Sequence, residues 1–395
     1  MHVILTQHPV GQGGLFSGAL ECAINKLRWV YDCGSNHPEP LYREIENVAQ
    51  GGPIDILFLS HLDSDHVDGI DRLILSADVD EVVMPYLNEL DRSLLICRDL
   101  DGRRVNGQFL EFARNPVKWL TSRGVRKITF IHGDDGEGDA EGGGDSPEAP
   151  MAPEHRGKLR LTRKWSREPL HEYEMRGAQV REFDTKAAVY ILGDGRVLNW
   201  ILAPFAHRPP DVRLKDFRKA LDGAFGKHTS VRSVTEHAKT EEGRRKLRAC
   251  YDIIWSDHNL VSMALYAGPV IPHEWDLIDW SGLGFGPSND EIGWLSSGDA
   301  NLRGANRRNS LLRHYQRFLP QIAALVLPHH GAVSSFHADL LSGFPSLRVG
   351  LAASGPNSYG HPHLAVEAAV RARPNADFHK VGRKPSTRFW VAAQT

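Results

Sequence analysis

The chain of 395 residues is 41% hydrophobic and 24% charged, with a formal net charge of -2 at pH 7. This composition is typical of a soluble globular protein of one large or two ordinary domains. The small net charge excludes a global field that would attract nucleic acid or anionic membranes, although a local basic groove stays possible. No stretch approaches roughly 18 continuous apolar residues and the N-terminus lacks a secretory signal, so we predict a cytoplasmic protein without a membrane span.

The first third of the chain alternates between strand-like and helix-like patterns. A glycine-rich segment at 10–14 precedes an apolar strand that ends at 29–34. A second apolar run at 54–60 has strand length, and residues 67–75 carry apolar side chains at helical spacing. The six residues between that strand and that helix, HLDSDH, therefore lie in a strand-to-helix turn.

Four of these six residues, His61, Asp63, Asp65 and His66, can bind a metal ion. In an extended turn, His61 and Asp63 point to one side while Asp65 and His66 lie on the other, which suits two adjacent ions. Imidazole and carboxylate favour zinc, manganese or iron over calcium or magnesium. A polar surface loop or a helix cap is the alternative, but four ligand-type residues directly after a buried strand favour the metal site.

Two segments in the middle of the chain are predicted to be insertions. Residues 133–170 begin acidic and rich in glycine and proline, then turn basic, a composition that predicts a low-complexity linker. A binding site for an acidic partner is the alternative reading of its basic part. Residues 214–250 are rich in Lys, Arg and Glu with helical patches, which predicts a helical insertion near a cleft rim. A hairpin is predicted between them, around 193–195.

Further ligand-type residues follow apolar runs in the last third. Asp299 closes the run 295–298, where it suits a ligand that bridges two ions, although a helix N-cap is the alternative. His329 and His330 follow the apolar run 323–327. His361 precedes Pro362 and a helical pattern.

These segments, in this order, resemble the metallo-β-lactamase superfamily. Residues 61–66 are similar to its HxHxDH motif, in the variant where Asp replaces the second His, and residues 10–14 with 29–34 are similar to its "VGQGD … DTG" pattern. The later segments 295–299, 327–331 and 354–362 are similar to those of the soluble metallo-hydrolase domain of ComEC, the DNA-uptake protein, and its stand-alone relatives. The resemblance spans about residues 8–392.

The resemblance implies one α/β domain over 1–395, an αββα sandwich of the α+β layered kind. It implies two divalent metal ions, zinc by preference with manganese as the alternative. His61 and Asp63 would hold the first ion, Asp65 and His66 the second, and Asp299 would bridge them. One of His329 and His330 would complete the ligands of the second ion, and the two together could serve both ions; His207 and His258 are other candidates for the first ion.

Other residues are expected around these ions. Asp65 and His361 are the predicted catalytic residues, with the neutral imidazole of His361 donating to a developing oxyanion or protonating a leaving group; a capping or packing role is the alternative. Asp32 is expected to orient a ligand histidine. Asn259, Ser262 and His207 are expected on the substrate side or behind the ligands.

The sequence therefore predicts a metal-dependent hydrolase that uses a metal-activated hydroxide on phosphodiesters or nucleic acid. The carboxylate at Asp63 favours phosphoesters because it makes the first site harder and more anionic. Four arginines of the 214–250 segment could supply a basic surface for nucleic acid: Arg232, Arg244, Arg245 and Arg248. The alternatives are a hydrolase of esters, thioesters or amides, and a non-catalytic subunit of a bacterial multi-protein defence system. A protein partner could bind through 133–170 or 214–250.

Overall fold

The computed structural model describes residues 1–23, 25–100, 107–133, 159–208, 211–252, 261–272, 275–280 and 291–395. Within these ranges the chain forms two β-sheets with helices on their outer faces. No described helix is both long and apolar enough to cross a membrane.

The strands up to residue 183 are β1 (His2–Gln7), β2 (Gly13–Cys22), β3 (Asn25–Ser35), β4 (Ile54–Phe58), β5 (Val79–Pro85), β6 (Lys127–Ile131), β7 (Leu161–Trp165), β8 (His171–Met175) and β9 (Ala178–Phe183). The later strands are β10 (Val189–Gly193), β11 (Arg196–Ala206), β12 (Met263–Gly268), β13 (Asp276–Trp280), β14 (Gly293–Ser296), β15 (Ile322–Val326), β16 (Val349–Ala353), β17 (Asp377–Val381) and β18 (Phe389–Gln394).

The α-helices are α1 (Pro38–Gln50), α2 (Ser64–Val67), α3 (Ile70–Ser76), α4 (Glu89–Asp99), α5 (Gly107–Arg114), α6 (Pro116–Thr121), α7 (Asp211–Phe225), α8 (Val231–Ala238), α9 (Glu241–Asp252), α10 (Ala305–His314), α11 (Asp339–Ser342) and α12 (Leu364–Arg371). Short 3-10 helices occupy Leu319–Gln321, Pro328–Gly331 and Pro385–Thr387.

The ten-stranded sheet has the order β13-β18-β1-β2-β3-β4-β5-β6-β9-β8, and the eight-stranded sheet has the order β17-β16-β15-β14-β12-β11-β10-β7. Each sheet contains a parallel section, β3 to β9 through β4, β5 and β6 in the first and β14 to β17 in the second. The carboxyl ends of parallel strands meet at one sheet edge. Loops that follow these strands therefore emerge together.

Three apolar cores define four layers. The central core joins the two sheets through large side chains such as Trp29 and Phe58 of the first sheet and Trp200 and Trp294 of the second. A second core lies between the ten-stranded sheet and helices α1 and α3 to α9. The third lies between the eight-stranded sheet and helices α10 to α12. The layered αββα arrangement expected from the sequence is thus confirmed.

The prediction of a linker over 133–170 is wrong for its last part. Residues 134–158 lie outside the described ranges, but Leu161–Trp165 form β7, which pairs with β10 in the eight-stranded sheet. Trp165 is buried, and Arg163 contacts Asp80 and Glu81 of β5 at 2.7 and 3.2 Å. Arg163, one of the basic residues that indicated a solvated segment, is thus paired with acidic residues of the other sheet.

The predicted helical character of 214–250 is confirmed by α7, α8 and α9, which pack over the ten-stranded sheet. Two of the arginines proposed for nucleic acid have local roles there. Arg244 donates to the carbonyl of Ala238, and Arg248 lies 3.8 Å from Asp252. That this segment is an insertion, and that 1–395 form one domain, stay predictions.

Candidate metal centre

The ligand-type residues follow the carboxyl ends of parallel strands in both sheets. His61 comes three residues after β4, Asp299 three residues after β14, and His329 three residues after β15. Asp32 lies near the end of β3, beside β4. The same edge of the sandwich therefore receives groups from the ten-stranded and the eight-stranded sheet.

Glycines let these loops approach one another. Gly298 has φ +55°, and a Cβ there would lie 2.4 Å from Ser262 Oγ and 2.9 Å from Ser60 Cβ. A Cβ on Gly34 would lie 2.4 Å from the carbonyl carbon of His66. Gly34, in the segment 29–34, thus leaves room for the helix that carries His66, and Gly298, in the segment 295–299, leaves room for the loop that carries Asp299.

The Asp299 carboxylate lies between two pairs of imidazoles. Its Oδ2 atom is 3.7 Å from His61 Nε2 and 3.7 Å from His329 Nε2. Its Oδ1 atom is 3.3 Å from His66 Nε2 and 3.7 Å from His330 Nε2. One oxygen therefore faces each pair, as the sequence-based assignment of a bridging carboxylate requires.

The carboxylates of Asp63 and Asp65 each lie beside one of these two pairs of imidazoles. Asp63 Oδ2 lies 3.3 Å from His61 Nε2, and Asp65 Oδ2 lies 3.5 Å from His330 Nε2. Two sets of groups result, each completed by one oxygen of Asp299. The first set is His61, Asp63 and His329; the second set is Asp65, His66 and His330.

The far nitrogens of these rings are held by neighbouring groups. His66 Nδ1 donates to Asp32 Oδ2 at 2.8 Å, and His330 Nδ1 donates to the carbonyl of Ala353 at 2.9 Å. His61 Nδ1 lies 2.8 Å from Ser60 Oγ, whose own proton goes to Asp32. With a metal ion present, these three rings would carry their proton on Nδ1 and direct the Nε2 lone pair toward the space between the rings and the carboxylates.

His329 and His330 have an unusual backbone. Their φ angles are +48° and +57°, in the left-handed region that residues other than glycine rarely adopt. Two such residues in succession cost about 2–4 kcal/mol, at roughly 1–2 kcal/mol each. Strain of this kind is concentrated at functional sites, and here it accompanies a turn that presents both imidazoles to Asp299.

The charges of the site shift several pKa values. Burial alone would raise the pKa of Asp299 and of Asp65, but the surrounding histidines, His330 and His66 among them, hold both well below the usual range. Burial alone would lower the pKa of His66 and of His330, yet the carboxylates raise both. Without a metal ion, protonated imidazoles would thus balance the negative charge of the carboxylates.

The residues fit a pair of divalent metal ions. A neutral ring with its proton on Nδ1 points a lone pair at a carboxylate oxygen, which is favourable only with a cation between the two atoms. Two ligands of a tetrahedral zinc ion lie about 3.4 Å apart, and the contacts between Nε2 and carboxylate atoms span 3.3 to 3.7 Å. Those distances exceed the usual hydrogen-bond length.

Two further observations support this fit. The Nε2 atoms of His61, His66 and His330 are buried and have no hydrogen-bond partner within the described ranges. Ligand atoms within 4.8 Å of one another form two groups, His61–His66–Asp299 and Asp65–His66–His330. That grouping places His66 in both and contains neither Asp63 nor His329, whose contacts are with His61 and Asp299. The hydrogen bond of His66 to Asp32 and its contact with Asp299 Oδ1 favour its assignment to the second set.

The remaining predicted residues lie around these sets. The ring of His361 is 5.1 Å from that of His329, and burial together with His329, His330 and His363 lowers the pKa of His361 to about 4, so the ring is neutral. Ser262 Oγ accepts a hydrogen bond of 3.1 Å from the backbone nitrogen of Asp299.

His207 is not brought into either set of groups. It packs edge-on against Phe205, and burial with the charges of Arg307 and His314 lowers its pKa to about 3. Its backbone nitrogen donates to the Ser262 carbonyl at 3.0 Å. Asn259 and His258 lie outside the described residues.

Sequence reasoning missed the serines that hold the rings. Ser60 donates to Asp32 and contacts His61, and Ser335 Oγ lies 3.2 Å from His329 Nδ1. Ser60 could have been found from its place directly before the motif at the end of a strand. Ser335 has no such signal, because its contact depends on the turn after His330.

No protein family and no curated protein matches the chain. Among solved structures, the metallo-beta-lactamase fold protein YhfI from Bacillus subtilis is similar over 96% of this chain and 96% of that chain, with 8% sequence identity and a TM-score of 0.36. A score this low does not establish a shared fold, so the fold is defined by the sheets and cores described above.

Proposed function

We propose that the chain is a metal-dependent hydrolase of the metallo-β-lactamase superfamily that acts on phosphodiesters. The observation that carries the proposal is the position of the Asp299 carboxylate, whose two oxygens face two separate sets of imidazoles. A structural carboxylate needs only one such partner. A carboxylate shared between two sets is suited to hold two ions side by side.

The first set, His61, Asp63 and His329, would hold one ion, and the second set, Asp65, His66 and His330, would hold the other. Asp299 would contribute one oxygen to each. Divalent ions held this way supply an activated water and positive charge next to the scissile bond. Zinc is the favoured metal because imidazoles provide four ligands, and manganese is acceptable because carboxylates provide three.

The protein's own groups orient the ligands. Asp32 holds His66 through Nδ1, and Ser60 connects Asp32 to His61, so the two rings from opposite sets are fixed by one hydrogen-bond network. The Ala353 carbonyl does the same for His330. Such partners raise the basicity of the ligands and prevent the rings from rotating.

The charge of the centre favours an anionic substrate. The three carboxylates of Asp63, Asp65 and Asp299 offset three of the four positive charges that two divalent cations would bring, so with a neutral bound water one positive charge would remain for a phosphodiester. A neutral His361 beside His329 can donate a hydrogen bond to a phosphoryl oxygen.

The first experiment is elemental analysis of the purified protein combined with hydrolysis assays. We expect between one and two transition-metal ions per chain, and hydrolysis of bis(p-nitrophenyl) phosphate that stops after chelation and returns with zinc or manganese. A thioester and an amide substrate, assayed in parallel, test the alternative chemistry.

Two results would overturn the proposal. Less than half an ion per chain after loading with zinc or manganese would exclude the metal centre. A fully loaded protein that hydrolyses none of the substrates would instead support a binding subunit that keeps the metal for structure.

A further inference from the structure

Two aromatic rings extend the sheet edge that carries the metal centre. Tyr86 directly follows β5, and His132 directly follows β6. Phe58 pairs with Val83, so the loop that carries His61 and the segment that begins at Tyr86 leave the carboxyl ends of neighbouring parallel strands. Adjacent strands are about 4.8 Å apart. Tyr86 is therefore one strand, and His132 two strands, away from the loop of His61.

The two rings form a stacked pair, and a glutamate of the neighbouring strand holds one of them in place. Their centroids are 4.1 Å apart with an interplanar angle of 14°. His132 Nε2 lies 2.9 Å from Glu182 Oε2, and Tyr173 donates from its hydroxyl to Glu182 Oε1 at 3.3 Å. Glu182 lies on β9, the next strand of the sheet, so the orientation of His132 is set by the sheet itself.

This ring pair is exposed rather than part of a core. Tyr86 is 38% exposed, and the side chain of His132 is 35% exposed. An exposed ring that is held rigid by stacking loses little conformational entropy on binding, which makes it a suitable surface for another flat ring.

Cationic groups lie beside the ring pair. A Cβ on Gly133 would lie 2.9 Å from the Cβ of Arg208, so the chain after His132 runs against Arg208. Arg307 donates to the Arg208 carbonyl at 3.1 Å. Arg92, on α4, lies close enough to Tyr86 for the two to interact electrostatically. Aromatic rings combined with arginines are the usual elements of a surface for single-stranded nucleic acid.

We propose that Tyr86 and His132 form a subsite that stacks an unpaired nucleobase of a single-stranded nucleic acid whose phosphodiester lies at the metal centre. This inference rests on the proposed function and specifies its substrate. Neighbouring strands lie about 4.8 Å apart, so the chain leaves the sheet edge at the ring pair one to two strand spacings from the loop of His61, a spacing comparable to the reach from a phosphate to a base attached to it. In this proposal Arg208 and Arg307 contact neighbouring phosphates of the same strand.

The experiment measures binding rather than hydrolysis. Metal-loaded full-length protein is titrated into fluorescein-labelled phosphorothioate oligothymidylate, which resists cleavage, and into an abasic phosphorothioate oligomer of the same length. Fluorescence anisotropy gives the Kd of each. The variants are Tyr86→Ala, Tyr86→Leu, which keeps apolar volume without a flat ring, and Tyr86→Phe. Tyr42→Ala is the control, because Tyr42 is 41% exposed on α1 and not part of the ring pair.

We expect Tyr86→Ala and Tyr86→Leu to weaken binding of the base-containing oligomer by roughly 5- to 100-fold, the usual effect of losing one base-stacking ring. Tyr86→Phe and Tyr42→Ala should bind as the wild type does. The abasic oligomer should bind wild type and variants alike, because phosphates contact arginines in every case.

Equal Kd values for the two oligomers on the wild-type protein would overturn the subsite, as would unchanged binding by both Tyr86→Ala and Tyr86→Leu. Neither result would affect the proposed function, because hydrolysis of a small phosphodiester by the loaded protein decides that separately. Conversely, base-dependent binding by a protein that hydrolyses no phosphodiester would retain the subsite and reject the hydrolase.

Discussion

The Asp32 carboxylate accepts a hydrogen bond from Nδ1 of His66 at 2.8 Å, while His66 Nε2 lies 3.3 Å from Asp299. Asp32 comes from the end of β3 and Asp299 from the loop after β14, so one imidazole connects the two sheets. Asp32 has φ +59°, a conformation that only glycine, asparagine and aspartate adopt readily. Both its charge and its backbone therefore serve the same ring.

We predict that Asp32→Asn weakens metal binding by about 10- to 100-fold without unfolding the protein. Asparagine tolerates the left-handed backbone, but its single acceptor cannot replace a carboxylate that receives Ser60 and His66 together. The measurement is competition with a chromophoric chelator. Asp194→Asn is the matched control, since Asp194 also has a positive φ, +49°, but belongs to an exposed turn. Equal affinity in both variants would show that Asp32 does not support the centre.

Asp299→Asn should reduce the metal content from two ions toward one and lower turnover by about 10²- to 10³-fold. An amide offers one oxygen and so serves one set of imidazoles, not both. Asp65→Asn should affect the second set only, through the contact with His330. Elemental analysis and turnover at saturating metal test both variants, with the exposed Asp339→Asn as control. Full turnover in Asp299→Asn would contradict the shared carboxylate.

Gly298→Ala should destabilise the protein by about 2–4 kcal/mol, because the new Cβ meets both the strain of a positive φ and close contacts with Ser262 and Ser60. Gly195→Ala should cost only about 1–2 kcal/mol, since Gly195 has φ +82° but nothing within 4 Å of its Cβ. Urea unfolding gives both values, and the difference between the two variants isolates the packing contribution. Equal losses would mean that the Asp299 loop relaxes without cost.

Glu44 should make the protein sensitive to acid. Burial alone would raise its pKa, but contacts with His8 and Arg388 lower it to about 2 from an ordinary value of 4.5. The unfolded chain takes up this proton first as pH falls, so the stabilisation is complete above pH 4.5 and is lost as pH falls toward 2.

The free energy of unfolding, measured by urea titration between pH 7 and pH 3, should fall for the wild type by on the order of 2 kcal/mol more than for Glu44→Gln. Glu46→Gln on the same helix is the control, because the Glu46 side chain is 58% exposed. Parallel pH profiles for wild type and Glu44→Gln would refute the assignment.

The sequence predicted much of the candidate centre because its residues lie in short motifs at strand ends. It left open whether His329 and His330 serve one ion or two, since that depends on a left-handed turn that no pattern reveals. The ring pair of Tyr86 and His132 was also missed. Its two members are 46 positions apart, and their contact follows from strand register, which a single sequence does not show.

The strand β7 was missed for a different reason. The prediction for 133–170 was based on the composition of the whole range, which concealed the strand-like spacing of Leu161, Arg163 and Trp165 on one face. Arg163 fits on the buried face of a strand because Asp80 and Glu81 of β5 pair with it. A charged segment that composition predicts to be solvated can therefore form a strand when long-range ion pairs are available to it.

When Asp299 is counted in both ligand sets, each set has two members from each sheet, and His61 and His330 are separated by 269 positions along the chain. Closing a chain segment of that length is among the slower steps of folding. The groups can therefore meet only after both halves of the sandwich have formed and docked. An ion bound there would join the halves at their open edge, in the manner of a cross-link that the chain itself does not contain. Metal binding would then require a completely folded chain, and loss of the metal would loosen the ligand loops at this edge while leaving the three apolar cores in place.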